Sequence, residues 1–197
     1  MATIHLPESP TLTTGTRRFS IEEYERIHES GVIGAGERVE LIRGEIIEMA
    51  AIGFRHAETV SLTTDTVAPV IPPNRSWAGN PIYLPDQSLP QLDYAVVKPG
   101  RYANRRPAAE DIRFVVEVSD SSKHYDLTVK LPLYAAAGIS EAWLFDLIDD
   151  RIQRHTDPGP DGYRQVASVG RGESISSLVL PALRFVVDEV LAAPNLA

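Results

Sequence analysis

Ile112-Arg113-Phe114-Val115-Val116-Glu117-Val118-Ser119 is the stretch on which the fold turns. An apolar, β-branched run of this length reads as a strand covered on both faces, which places it centrally in an α/β protein. Glu117 breaks the run, and a carboxylate there is costly to bury unless something pairs with it. Just upstream, Leu92-Asp93-Tyr94-Ala95-Val96-Val97 repeats the pattern with Asp93 near its start. Just downstream, Tyr125 to Ala137 reads as a helix that carries Lys130 and stops at Gly138, a natural C-terminal cap. Pro132 sits in the first turn of that helix or kinks it. Two acids from adjacent strands can hold one hard cation such as Mg²⁺ and leave positions open for water and phosphate, with the lysine beside them. The plainer account is that each acid ends a strand in solvent, and that Lys130 pairs with Asp126 four residues earlier on a solvated helix. By spacing alone that account is the better one for Lys130. Lys123, in a Ser-rich loop, is a rival for the same role.

Working outward, Ser20-Ile21-Glu22-Glu23 is a capping box that should start a short helix over about 20–29. Glu37 to Ala50 reads as a hairpin turning at Arg43-Gly44, a weaker turn signal than Asn-Gly. Arg55 to Val70 is a helix ended by Pro69, Pro72 and Pro73, although its threonines disfavour it. Pro81 to Leu84 reads as a strand, and Pro99 to Asp111 as a polar loop. Glu141 to Asp146 is a further strand. Arg151 to Thr156 and Tyr163 to Val169 form a hairpin, and Val186 to Ala192 a last helix. There is no internal repeat and no linker, so residues 16–197 are expected to form one α/β domain with a mixed sheet.

The chain has 197 residues, enough for a real core. It has no cysteine, which excludes disulfides, thiolate metal sites and cysteine nucleophiles and suits a reducing cytoplasm. No apolar run approaches the roughly 20 residues that span a bilayer, so no membrane partner is expected. Met1 to Gly15 lacks a signal-peptide pattern and reads as a poorly ordered tail. The net charge of −8 argues against coating nucleic acid through bulk electrostatics. It does not exclude a nuclease, because an acidic metal site repels DNA only until its cation binds.

Two further groups bear on the site. Glu40 interrupts an apolar strand, so it adds a metal contact or simply faces outward; His56 opens a helix, where it contacts phosphate or a carboxylate or merely caps. No His cluster suggests zinc. Lys98, Arg101, Arg105 and Arg106 form the one basic cluster, interleaved with Tyr102, in the loop between the two acidic strands. It flanks a nucleic-acid groove or is an ordinary soluble loop. Trp143 and Tyr134 read as core residues.

Val39-Glu40-Leu41-Ile42-Arg43-Gly44-Glu45, Arg55-His56, Leu92 to Val97, Val116-Glu117-Val118-Ser119, Tyr125-Asp126, Lys130-Leu131-Pro132-Leu133-Tyr134, Gly138 and Glu141-Ala142-Trp143 occur in that order. The set resembles the Uma family of putative restriction endonucleases, within the PD-(D/E)xK nuclease superfamily, over about residues 17–192. The resemblance implies a restriction-endonuclease-like fold, a central mixed sheet flanked by helices, and Mg²⁺-dependent hydrolysis of DNA, with Mn²⁺ as a substitute. It implies Asp93 and Glu117 as metal ligands with Glu40 assisting, Lys130 as the catalytic lysine, and His56 as a helper. The superfamily's lysine stands two residues after the glutamate; here that place is Ser119, and Lys130 on the following helix matches it. Leu92 stands where a proline usually precedes the aspartate, which bears on strand geometry more than on chemistry. Arg101, Arg105 and Arg106 are candidate DNA contacts, and a homodimer is expected. The rival is a catalytically silent nuclease fold serving as a binding or assembly module. A hydrolase of some other phosphate ester is a third reading, without a nucleotide-pocket motif to promote it.

Overall fold

A computed structural model describes residues 16–34 and 36–193; the expected tail over 1–15 lies outside them. Its centre is a six-stranded sheet in the order β3 (Ser76–Ala78), β4 (Tyr94–Val97), β5 (Ile112–Ser119), β6 (Glu141–Asp146), β7 (Arg151–Gly159), β8 (Gly162–Gly170). β5 and β6 run parallel, and every other neighbouring pair is antiparallel. A parallel pair needs a crossover, and the helical segment after β5 supplies it. The expected mixed α/β sheet is therefore present.

Side chains of β5 alternate between two packed faces, which explains why most of its sequence is apolar. Phe114, Val116 and Val118 join Tyr94, Trp143, Phe145 and Phe185 in one core layer. This layer also takes Val67 from α2 (Phe54–Val67), and Val187 and Val190 from α5 (Val187–Val190). Val115 joins Leu131, Leu133, Tyr134 and Leu144 in the opposite layer. Glu117 and Ser119 share that second face by the period of two, so they are aimed at the crossover helix.

The hairpin turns where expected, between β1 (Val39–Ile42) and β2 (Glu45–Glu48). Arg43 (φ 51°) and Gly44 (φ 80°) are both left-handed, as a two-residue turn matched to strand twist demands. A Cβ on Gly44 would also stand 2.8 Å from Arg18 Cβ and 2.9 Å from the Phe19 carbonyl oxygen. α1 (Ile21–Glu29) starts at Ser20 with both capping-box bonds formed. Ile21 and Tyr24 of α1 pack with Leu41 and Leu89 as a third small core.

The crossover departs from a plain helix. α3 (Lys123–Tyr125) passes through a π-helical turn, Asp126–Lys130, into α4 (Leu131–Ala136). Pro132 has no N–H to offer the Thr128 carbonyl, so a regular helix would lose a bond there. The wide turn absorbs the mismatch, with the Leu131 N–H reaching back to Asp126 O. It also turns Asp126 and Lys130 inward together, each only 3% exposed. The solvated Asp126–Lys130 pair of the plainer account is thus not formed.

Other differences are local. Pro81 to Leu84 makes isolated bridges to Gln91, Ala108 and Ser88 rather than a strand, because two prolines bracket it and remove donors. The edge strand β3 and the hairpin of β9 (Ser174–Ser176) with β10 (Arg184–Val186) carry too few residues for a period to show. The last helix is shortened to α5: Val186 pairs as the end of β10, and Leu191 is already extended.

Candidate active site

The β4–β5 register sets Tyr94 opposite Val116. Asp93, just before β4, therefore reaches the level of Glu117, and its Oδ2 accepts from the Val118 N–H at 2.8 Å. Its Oδ1 lies 3.1 Å from His56 Nε2, which α2 delivers from its first turn. Burial pushes the Asp93 carboxyl up, but the His56 contact, Lys130 and the Val118 amide outweigh it and hold the group below the usual carboxylate range.

Glu117 is 1% exposed. Its Oε2 accepts from Lys130 Nζ at 2.9 Å, and its Oε1 from the Tyr134 hydroxyl at 2.5 Å. Lys130 Nζ also donates to the Gln91 carbonyl at 2.7 Å and lies 3.8 Å from Glu40 Oε2. Glu40 comes from β1, and the β1–loop pairing of the Leu89 N–H to Leu41 O carries it in. Its two oxygens accept from the Tyr125 hydroxyl at 2.7 Å and the Gln91 N–H at 2.9 Å. Asp126 accepts from the Ser119 and Ser122 hydroxyls at 2.6 and 2.7 Å. The Ser119 hydroxyl thus holds an acid from the same helical segment that bears Lys130.

Glu40, His56, Asp93, Glu117, Asp126 and Lys130 line one cavity of about 320 Å³. All five residues expected to be catalytic are therefore together. The charges are unbalanced: Glu40, Asp93, Glu117 and Asp126 face a single ammonium. Burial, then the carboxylates Asp93 and Asp126, push Glu117 well above its ordinary value in spite of Lys130. Burial pulls Lys130 down, but Glu117, Glu40, Asp93 and Asp126 more than reverse this and keep it charged.

This donor set fits a hard divalent cation. The donors are carboxylate oxygens, and their surplus negative charge is what such an ion offsets. Among the described residues no three His, Cys, Asp or Glu side chains form a ready cage.

The basic cluster lies apart from this cavity. Arg105 pairs with Asp111 and sits over the Tyr102 ring, Arg106 pairs with Glu25, and Arg101 is exposed. Lys123, the rival lysine, lies 2.6 Å from Asp146 and also pairs with Asp149. Three site residues had no role in the sequence reading. Asp126 stood there as a surface partner and Tyr134 as packing, and all three, Tyr125 included, stood as motif letters without a task at the site. The available signal was the succession Tyr125, Asp126, Lys130, Tyr134, which places four polar groups on one side of a helix.

Among the described residues no helix is long and apolar enough to cross a membrane. No curated protein matches the chain. A solved structure, a putative nuclease from Anabaena variabilis, is similar over 88% of this chain and 97% of its own, with a TM-score of 0.66 at 13% identity. The architecture is accordingly restriction-endonuclease-like. The model of one family, described as Uma2, putative restriction endonuclease, matches residues 21–189, the span that holds the sheet core and every group around the cavity. The chain belongs to the Uma2 family of putative restriction endonucleases.

Proposed function

We propose that the protein is a Mg²⁺-dependent endonuclease that hydrolyses DNA phosphodiester bonds, with Mn²⁺ able to substitute. The observation that carries this reading is the meeting of Glu40, Asp93, Glu117 and Lys130, from four separate segments, at one cavity. Asp93 and Glu117, assisted by Glu40, would hold the cation. When bound, it supplies Lewis-acid polarisation of the phosphoryl group and acidifies water.

The chain's own groups do the rest. Lys130 stays charged and donates into the cavity floor, where it stabilises negative charge building on the phosphate oxygens and orients the attacking water. Tyr134 and Tyr125 fix Glu117 and Glu40 so that their oxygens need no reorganisation. The Val118 amide and His56 keep Asp93 ionised and aimed. Cutting both strands of a duplex in one encounter takes two such sites, so a homodimer is the working form in this reading.

The test incubates purified protein with supercoiled plasmid and Mg²⁺ or Mn²⁺, beside a Glu117→Ala variant. Cleavage should fall by about 10²–10⁴-fold in the variant. Equal cleavage by both proteins removes the assignment. DNA binding by the wild type without cleavage in either metal establishes the silent binding module instead.

A further inference from the structure

β1 is a wall with a cavity on each side. Glu40 faces the catalytic cavity, while Val39 faces a second cavity of about 530 Å³. Arg38 lines both. Its guanidinium donates to the Ala50 carbonyl rather than to a carboxylate, so its charge is left for an incoming anion. Gln91 ties the two sides together: its backbone bonds Glu40 and Lys130, while its side chain lines the second cavity.

The second cavity has the features of a site for an uncharged, flat ring. His28 presents an exposed imidazole that is already fixed, edge-on to Tyr24 at 4.9 Å between ring centres and bonded to the Tyr24 hydroxyl at 3.0 Å. Asn80 and Gln91 line the same cavity. Their NH₂ groups are taken by the Ala78 and Gly79 carbonyls, which leaves their oxygens as acceptors. Arg106 lines the cavity too, but Glu25 neutralises it, and Glu29 and Glu37 stand nearby. A phosphate would be repelled there, whereas a base would not. The volume lies within the range of small-molecule sites.

Resting on the nuclease reading, we infer that this second cavity is a subsite for the nucleobase flanking the scissile phosphodiester. The base stacks on His28, and Arg38 grips the phosphate that crosses the β1 wall. The substrate strand thus passes from one cavity to the other over Arg38, and the site takes a nucleotide whose base is free to leave a duplex stack.

The test measures binding, in Ca²⁺, of an oligothymidylate and of an abasic oligomer of equal length. Both carry the same phosphates, and only one carries bases. Wild-type protein should prefer the oligothymidylate, and His28→Ala should erase that preference, a loss of roughly 5- to 150-fold. His28→Trp should restore it. Arg38→Ala should weaken both oligomers by the same factor. His28 is an exposed helix residue, so its loss should leave folding intact; circular dichroism and the unchanged abasic affinity check this. No base preference in the wild type, or a preference that survives His28→Ala, overturns the inference while plasmid cleavage still stands. A dimer that dissociates in His28→Ala makes the face a subunit interface and overturns it as well. Failure of the wild type both to bind either oligomer and to cut plasmid overturns this inference and the nuclease reading together.

Discussion

Two buried glutamates on neighbouring strands show what separates a structural acid from a working one. Glu141 opens β6 and is fully buried; its carboxylate accepts from Trp143 Nε1, the Ser177 hydroxyl and the Leu178 N–H, at 2.9, 2.6 and 2.7 Å. Every donor is neutral, and together they satisfy both oxygens. Glu117 on β5 is as deeply buried, yet it faces a cavity, a lysine and a crowd of other acids. Burial is common to both. The difference is residual demand: Glu141 is saturated by its surroundings, while the charge around Glu117 remains unbalanced until a cation or a proton arrives.

The largest effect should separate the two lysines on the crossover. Lys130→Ala should reduce DNA cleavage by about 10²–10³-fold, because it removes the ammonium held beside Glu117 and Glu40. Lys123→Ala should leave cleavage unchanged and lower stability by about 3 kcal/mol, since it strips the fully buried Asp146 of its charge partner as well as freeing Asp149. Initial rates on plasmid and urea denaturation measure both; a cleavage loss confined to Lys123→Ala would reassign the catalytic lysine.

Next comes the acid contrast itself. Glu141→Ala leaves three donors without their acceptor, and should cost about 3 kcal/mol in chemical denaturation while residual folded protein still cleaves. Glu117→Gln should do the reverse, abolishing cleavage at a stability cost well under that of Glu141→Ala, because a neutral amide no longer adds to the local negative charge. If both substitutions hurt stability equally, the distinction drawn between them fails.

The structural side also has its own pH response. His155 on β7 lies beside β6, paired in register with Ala142, and burial pulls its imidazole down to about 4 from 6.5. Below pH 6.5 the unfolded chain binds a proton that the folded one refuses. Stability should therefore fall as pH drops from about 6.5 toward 4, by up to about 3 kcal/mol. His155→Gln should flatten that part of the curve, read as denaturation midpoint against pH.

The smallest effect concerns Tyr134, which holds Glu117 without touching substrate. Tyr134→Phe should lower cleavage about tenfold and weaken Mn²⁺ binding, measured by calorimetry, with little change in fold. Unchanged Mn²⁺ affinity would make Tyr134 a packing residue after all.

Much of this could be read before any coordinates. The run from Ile112 to Ser119 announced a doubly covered strand because both of its faces had to be apolar, and Glu117 stood out against that requirement. The capping box at Ser20 and the Arg43-Gly44 turn are local chemistry, and they formed as read. The order of motifs picked out Lys130 over Lys123, although helical spacing favoured a surface ion pair. What escaped was non-local or irregular: the short strands β3, β9 and β10, the bridged segment over 81–84, and the roles of Asp126, Tyr125 and Tyr134.

The sequence by itself determined the α/β alternation, the two acidic strands and the residues worth suspecting, because hydrophobic period and turn chemistry act over a few neighbours. Only the tertiary structure decided that Lys130 belongs to Glu117 rather than to Asp126. That choice depends on a π-helical turn beside Pro132, on the β4–β5 register that levels Asp93 with Glu117, and on a hairpin that carries Glu40 across from the far end of the chain. A charge's partner is set by distance through space and by the dielectric around it, and neither is written in the spacing of residues along the chain.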